Sequence, residues 1–252
     1  MDTTAVAKAA EALVAARRTR LPIGDLPLDA QPDDDADAYA IQDRAVQLLE
    51  APIGGWKVGA SNPSAVPNAA PLLQSLISPS PCKLGHGAAP LLGIEAEIAF
   101  RFKRDLPARS IPYARDEVAA AIGSLHPAIE VVDSRFRTRD AVSAAARLAD
   151  FQSNGHFVYG PEVKNWKSVD PTQQAVSLEI GGKRVAETVG GNAAVDLFRL
   201  LMWLVDHAGK RGRGIKANDI VTTGSCTGLT FAKPGDAVVA RFAGLGEVTV
   251  TF

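Results

Sequence analysis

Cysteine is almost missing from this chain. Cys82 and Cys226 stand far apart and outside any Cys-x-x-Cys or Cys/His spacing, which excludes a disulfide framework and a sulfur-built zinc site. A reducing cytoplasm is the expected setting. Net charge is equally scarce: 27 Lys and Arg residues against 28 Asp and Glu residues leave −1, so no basic field gathers nucleic acid or an anionic membrane. Neither is expected as a partner. The alanine-rich start is broken by Lys8, Glu11, Arg17 and Arg18, unlike a secretory hydrophobic region or a membrane span. Internal repeats and low-complexity tracts are missing too.

What is present suffices for a full core, since 46% of 252 residues are hydrophobic. Residues 4–19 and 35–49 combine Ala and Leu with charged helix formers, and Asp33 to Asp35 stand where carboxylates favour a helix start. Residues 1–52 are therefore predicted to be a helical appendage and residues 53–252 a strand-rich main domain. From Ile53 the texture changes to short extended runs separated by Gly, Pro and Asn, with a hairpin predicted at Gly181-Gly182. Helices are predicted at about 115–123, 141–149 and 192–208, the last with Asn192 as its N-cap. The proline-rich stretch from Asn62 to Pro90 reads as a long loop, of the kind that forms lids or binding segments. The class is α+β, built on a strongly bent or closed sheet.

In Ile94-Glu95-Ala96-Glu97-Ile98-Ala99-Phe100 the period of two sends the large apolar side chains to one face and both glutamates to the other. Taken alone, this is also the pattern of a strand with one wet face. The second carboxylate-bearing run is less ordinary. In Pro127-Ala128-Ile129-Glu130-Val131-Val132-Asp133, Glu130 sits amid apolar residues, where an unpaired carboxylate costs several kcal/mol, so it needs a cation or a set of hydrogen bonds. A salt bridge to Arg135 or Arg137 is one solution. The other joins Glu130 to Glu95 and Glu97 around a divalent ion, and an all-oxygen set selects Mg2+ or Mn2+. Such a site chelates a small 2-oxo or 2-hydroxy acid through its carboxylate and the adjacent oxygen.

Five further stretches occur in a telling order: Ala38-Tyr39-Ala40-Ile41-Gln42, Gly55-Trp56-Lys57-Val58-Gly59, the run from Pro127 to Arg135, Thr223-Gly224-Ser225, and Phe242-Ala243-Gly244-Leu245-Gly246. With the Glu95-x-Glu97 strand, they make the chain resemble, over nearly its whole length, the fumarylacetoacetate hydrolase superfamily. The branch it resembles is that of 2-oxopent-4-enoate hydratases and 4-oxalocrotonate decarboxylases. That resemblance implies a mixed, barrel-like β-roll with an N-terminal helical part, Mg2+ or Mn2+ on the three glutamates, and a homo-oligomer. It assigns Lys57 to the substrate carboxylate or to proton transfer. It also brings Asp150, Ser153 and Asn154, from Asp-Phe-Gln-Ser-Asn-Gly, near the substrate. Thr223, Gly224 and Ser225 are expected to offer backbone N–H groups and hydroxyls to a developing oxyanion.

One departure stands out. Members of that branch often carry an acidic pair ahead of the Glu-x-Glu strand, where this chain reads Leu72-Leu73-Gln74-Ser75-Leu76. Proton transfer then falls to Lys57, Asp150 or His86, while His126, His156 and His207 have no ligand spacing and Cys226 reads as a core residue. The expected activity is hydration of a 2-hydroxy-2,4-dienoate to a 4-hydroxy-2-oxo acid in aromatic catabolism. Decarboxylation of a 2-oxo diacid or C–C hydrolysis of an acylpyruvate on the same metal is the enzymatic alternative. An oligomeric binding module without turnover is the non-enzymatic one.

Overall fold

The computed structural model describes every residue except His86. Helix α1 (Thr3–Thr19) starts where the Asp2 side chain accepts from the Ala5 amide, and α2 (Asp35–Leu49) starts where Asp34 accepts from Asp37. Both end on a left-handed residue, Arg20 and Glu50. The small faces of α1 (Ala9, Ala10, Leu13) and α2 (Ala38, Ile41, Ala45) share a core with Phe136 and Phe151. Each larger side chain buried there contributes about 1.5–3 kcal/mol.

The strands follow as β1 (Ile53–Gly59), β2 (Asn68–Leu73), β3 (Ile77–Pro79), β4 (Cys82–Lys83) and β5 (Gly93–Phe102). Then come α3 (Arg115–Ala121), β6 (Ile122–Val132), α4 (Ala144–Ala149), β7 (Asn154–Tyr159), β8 (Ala175–Ile180) and β9 (Lys183–Val189). The chain closes with α5 (Leu197–Lys210), β10 (Ile220–Ser225), β11 (Thr230–Phe231), β12 (Ala237–Phe242) and β13 (Gly246–Thr251). One sheet runs β2-β1-β10-β5-β6-β7-β3, with β11 added to β5, and a second runs β4-β13-β12-β8-β9. Ile94, Ala96, Ile98 and Phe100 of β5 face the main core, which also holds Val238, Ala240 and Val248 from the second sheet. The glutamates are left for the other face.

The large sheet is curled nearly shut. Its two edge strands, β2 and β3, would lie roughly 29 Å apart in a flat sheet at about 4.8 Å per step. Yet only the short turn Gln74–Leu76 joins them. The architecture is the α+β, barrel-like roll with a helical N-terminal part that the sequence implied. Among the described residues, no helix is long and apolar enough to cross a membrane.

Two sequence expectations need correction. The stretch Asn62 to Pro90 is not one long loop, since it contributes β2, β3 and β4. Proline obscured this, because Pro71 and Pro79 sit on the two edge strands, where a missing N–H is tolerated. Helix α5 begins at Leu197 rather than near Asn192, because Asp196 accepts from the amides of Phe198 and Arg199 and so caps it. Asn192 instead donates its side-chain amide to the carbonyls of Thr223 (2.8 Å) and Gly224 (2.9 Å).

Gly55 lies where β1 meets β10 in parallel, opposite Ile220. A Cβ added there would stand 2.0 Å from the Ile220 carbonyl oxygen. Gly55→Ala is therefore expected to lower the unfolding free energy by about 3 kcal/mol, the upper end for overpacking, in a urea titration.

Candidate metal centre and active site

The register of the central hairpin builds the site. Strands β5 and β6 pair antiparallel with Glu95 directly opposite Glu130, and Glu97 follows two residues on, along the same face of β5. One carboxylate oxygen from each of the three lies within 4.8 Å of the others. Glu130 and Glu97 are 0% and 1% exposed, and Glu95 is half-buried. Like charges held so close are costly unless a cation compensates them.

One cation is built in. Lys57 Nζ donates to Glu130 Oε1 at 2.7 Å and to the Gln152 carbonyl at 3.1 Å. Lys57 takes the role that Arg135 or Arg137 was a candidate for. It stands three strands from Glu130, a separation of roughly 14 Å in a flat sheet, and only the curl of the sheet lets the two side chains meet. Burial pushes the lysine pKa down, but the pull of Glu130, Glu95 and Glu97 outweighs it and leaves the ammonium above its ordinary value. Burial first, and then Glu130 and Glu95, holds the Glu97 carboxyl well above the usual range. Glu95 is raised by burial and by Glu130, with Lys57 and Arg139 opposing.

Hydrogen bonds fix two of the three carboxylates. Asn154 Nδ2 donates to Glu130 Oε1 at 2.9 Å, and the Thr222 hydroxyl donates to Glu97 Oε2. Glu130 Oε2 is buried and has no hydrogen-bond partner. An orphaned anionic oxygen beside two carboxylates that resist ionisation is the arrangement a hard divalent cation satisfies. With no nitrogen or sulfur in the cluster, the residues present fit Mg2+ or Mn2+.

The cluster opens into a cleft of about 180 Å³ whose lining includes Lys57, Asn68, Glu95, Glu97, Arg139 and Gln152. Gly224 and Ser225 also line it. Thr223 does not: its hydroxyl is buried and donates to the Ile98 carbonyl at 2.7 Å. Asp150 is likewise outside. Its carboxylate accepts from Arg135 Nε at 2.5 Å and from the Arg135 amide at 3.0 Å, and the residue is fully buried. Ser153 is buried and accepts from Arg139 Nε at 3.3 Å, so it supports a cleft residue rather than facing the cleft. Gln74 and Ser75 are exposed on the turn after β2 and do not line it. His86 lies outside the described residues.

Four residues at the site were not singled out from sequence: Asn68, Arg139, Gln152 and Thr222. Phe151, Gln152 and Ser153 take φ of 49°, 49° and 60°, three consecutive left-handed residues, none of them glycine. Such backbone persists only where its surroundings hold it, and here it turns the Gln152 carbonyl onto Lys57 and its side-chain amide onto Asn68. Nothing in the residue types announces that turn. Thr222 had a usable signal in strand parity, since alternation from Ile220 puts Thr222 and not Thr223 on the glutamate side.

Comparison with known proteins points to one family. The family model "Fumarylacetoacetate (FAA) hydrolase C-terminal" matches residues 59–252. A 2-keto-4-pentenoate hydratase of Paraburkholderia phymatum is 31% identical over 89% of this chain and 88% of its own length. That of Burkholderia vietnamiensis is also 31% identical, over 63% of this chain, and the match spans only 60% of that relative. The solved 4-oxalocrotonate decarboxylase of Pseudomonas putida G7, complexed with magnesium and adipate, superposes with a TM-score of 0.87 at 25% identity, covering 100% of this chain and 98% of that one.

Proposed function

Because the chain belongs to the fumarylacetoacetate hydrolase family, whose members similar to it are named as enzymes, we propose that it is a metal-dependent lyase. It holds Mg2+ or Mn2+ on Glu95, Glu97 and Glu130. It adds water to a 2-hydroxy-2,4-dienoate of the 2-oxopent-4-enoate type, giving a 4-hydroxy-2-oxo acid in aromatic catabolism. The observation that carries this reading is the buried, unpartnered Glu130 Oε2 facing two carboxylates that resist ionisation. The magnesium named with the 4-oxalocrotonate decarboxylase supports the choice of ion. A cytoplasmic location and a homo-oligomer belong to the same proposal. Two free cysteines suit the first.

When bound, the cation supplies Lewis-acid polarisation to a carboxylate and the oxygen beside it. The chain's own residues do the rest. Asn154 and Thr222 hold two of the glutamates in place. Lys57, which lines the cleft beside Glu130, is the group to hold a substrate carboxylate or to pass a proton. Gly224, at φ +91°, and Ser225 also line the cleft and could offer backbone N–H groups there.

A second reading, decarboxylation of a 2-oxo diacid, is favoured by Arg139. Its guanidinium lines the same cleft, seated by Ser153 and Asp140, and offers a partner to a second carboxylate. A product assay with Mg2+ or Mn2+ decides between the two readings. Hydration predicts a 4-hydroxy-2-oxo acid with no carbon lost, decarboxylation predicts CO2, and no consumption of either substrate class overturns both. Under the second reading, Arg139→Ala raises KM for the diacid about tenfold, an interaction of about 1.4 kcal/mol. Under the first, it leaves hydration of the monoacid within about twofold.

A further inference from the structure

We propose that the cavity beneath the C-terminal end of α1 is a second ligand site, one that takes a small monocarboxylate with an apolar tail. The cavity holds about 320 Å³, and its lining includes Arg17, Arg20, Ser75, Asp133 and Arg135. It shares no lining residue with the glutamate cleft. Leu49 and Leu73 supply apolar wall. The size suits a ligand of a few to a dozen heavy atoms.

Charge selects the ligand. Arg135 is occupied, since its Nε meets Asp150 at 2.5 Å and its Nη1 lies 3.7 Å from Asp133. Arg17 is not. It donates one hydrogen bond, from Nη2 to the Asn154 carbonyl at 3.2 Å, and its guanidinium carbon lies 5.1 Å from the centre of the Phe151 ring. Among the described residues, no carboxylate pairs with it within 4.0 Å, and its remaining N–H groups find no protein acceptor. Burial, then the neighbouring Arg135, pushes the Arg17 pKa down to about 9, with Asp150 and Asp133 opposing. The group is therefore still a cation at neutral pH, and it lacks a counter-ion.

Asp150 and Asp133 both lie against Arg135, so Arg17, Arg20 and Arg135 set against those two carboxylates leave one positive charge in excess, with Arg17 the unpaired group. A carboxylate cancels that excess. A phosphate dianion would exceed it, beside Asp133. The planar fork of Arg17 matches a carboxylate in two parallel hydrogen bonds, and the leucine wall takes the alkyl end.

Butyrate tests this in the full-length protein, by calorimetry with saturating Mg2+ and oxalate, the oxalate being present to keep carboxylates off the glutamate cluster. The expected result is one butyrate site, with butanamide and inorganic phosphate bound at least about tenfold more weakly. Arg17→Gln weakens butyrate at least about tenfold. Ser75→Asp does the same by placing a carboxylate within the cavity, and because Ser75 is exposed, that variant decides the matter should Arg17→Gln not fold. Glu97→Gln leaves butyrate affinity unchanged. Absence of binding at millimolar butyrate overturns the proposal, as does equal affinity in wild type and Ser75→Asp. Loss of binding in Glu97→Gln would do so as well, because it would place the ligand in the other cleft.

Discussion

Glu97→Gln is expected to weaken Mg2+ or Mn2+ binding by at least about 100-fold and to reduce turnover at fixed metal by about as much. The comparison is with outer-shell residues, whose loss costs 10- to 100-fold. The amide fits the space and still accepts from the Thr222 hydroxyl, so what is removed is one ligand charge. Stability separates this from simple damage to the fold. A carboxyl whose pKa is raised in the folded state detracts from stability as the pH rises above its unfolded value, and Glu97 is such a carboxyl. At neutral pH the metal-free variant should therefore unfold at the same or a higher temperature than metal-free wild type. At Mg2+ concentrations that exceed the dissociation constant of wild type alone, only wild type should gain further, since a ligand stabilises with the logarithm of one plus its concentration over Kd. A thermal scan with and without Mg2+ checks both statements. Equal Mg2+ stabilisation of the two proteins would show that Glu97 is no ligand.

Lys57→Met should produce the largest loss of stability. Removing one member of a buried ion pair leaves the other uncompensated, at about 3–5 kcal/mol, and here the group left behind is Glu130, fully buried and facing two more carboxylates. Asn154 alone would remain on Glu130 Oε1. The missing charge can be replaced from solution, so saturating Mg2+ should restore a larger part of the stability of Lys57→Met than it adds to wild type. Urea titrations at zero and saturating Mg2+ measure this. A loss under about 1 kcal/mol, or an Mg2+ response no larger than that of wild type, would contradict the charge balance described here.

The carboxylates were legible because strand chemistry is local. Alternation put Glu95 and Glu97 on one face, and the apolar neighbours of Glu130 marked it as needing a partner. What stayed hidden depends on closure of the sheet. Lys57 meets Glu130 across three strand positions, a contact no local pattern encodes, and the arginines near Glu130 in sequence were the natural wrong partners. Asp150 shows the converse. Its turn borders the cleft through Gln152, which the left-handed run directs there, but the backbone leaving β6 delivers the Arg135 amide and guanidinium onto the Asp150 carboxylate. Arg139 lies in an irregular connection where periodicity says nothing. Asn68 was lost with the proline-rich stretch, since a strand carrying Pro71 does not look like one until it is seen to be an edge.

The most direct measurement is anomalous diffraction from crystals of the protein grown with Mn2+. The account predicts one strong peak per chain, with oxygens of Glu95, Glu97 and Glu130 within about 2.0–2.6 Å of it, Glu130 Oε2 among them, and Lys57 still on Glu130 Oε1. A crystal saturated with Mn2+ that shows no peak there, or a peak held by other residues while Glu130 Oε2 stays unbound, would contradict it.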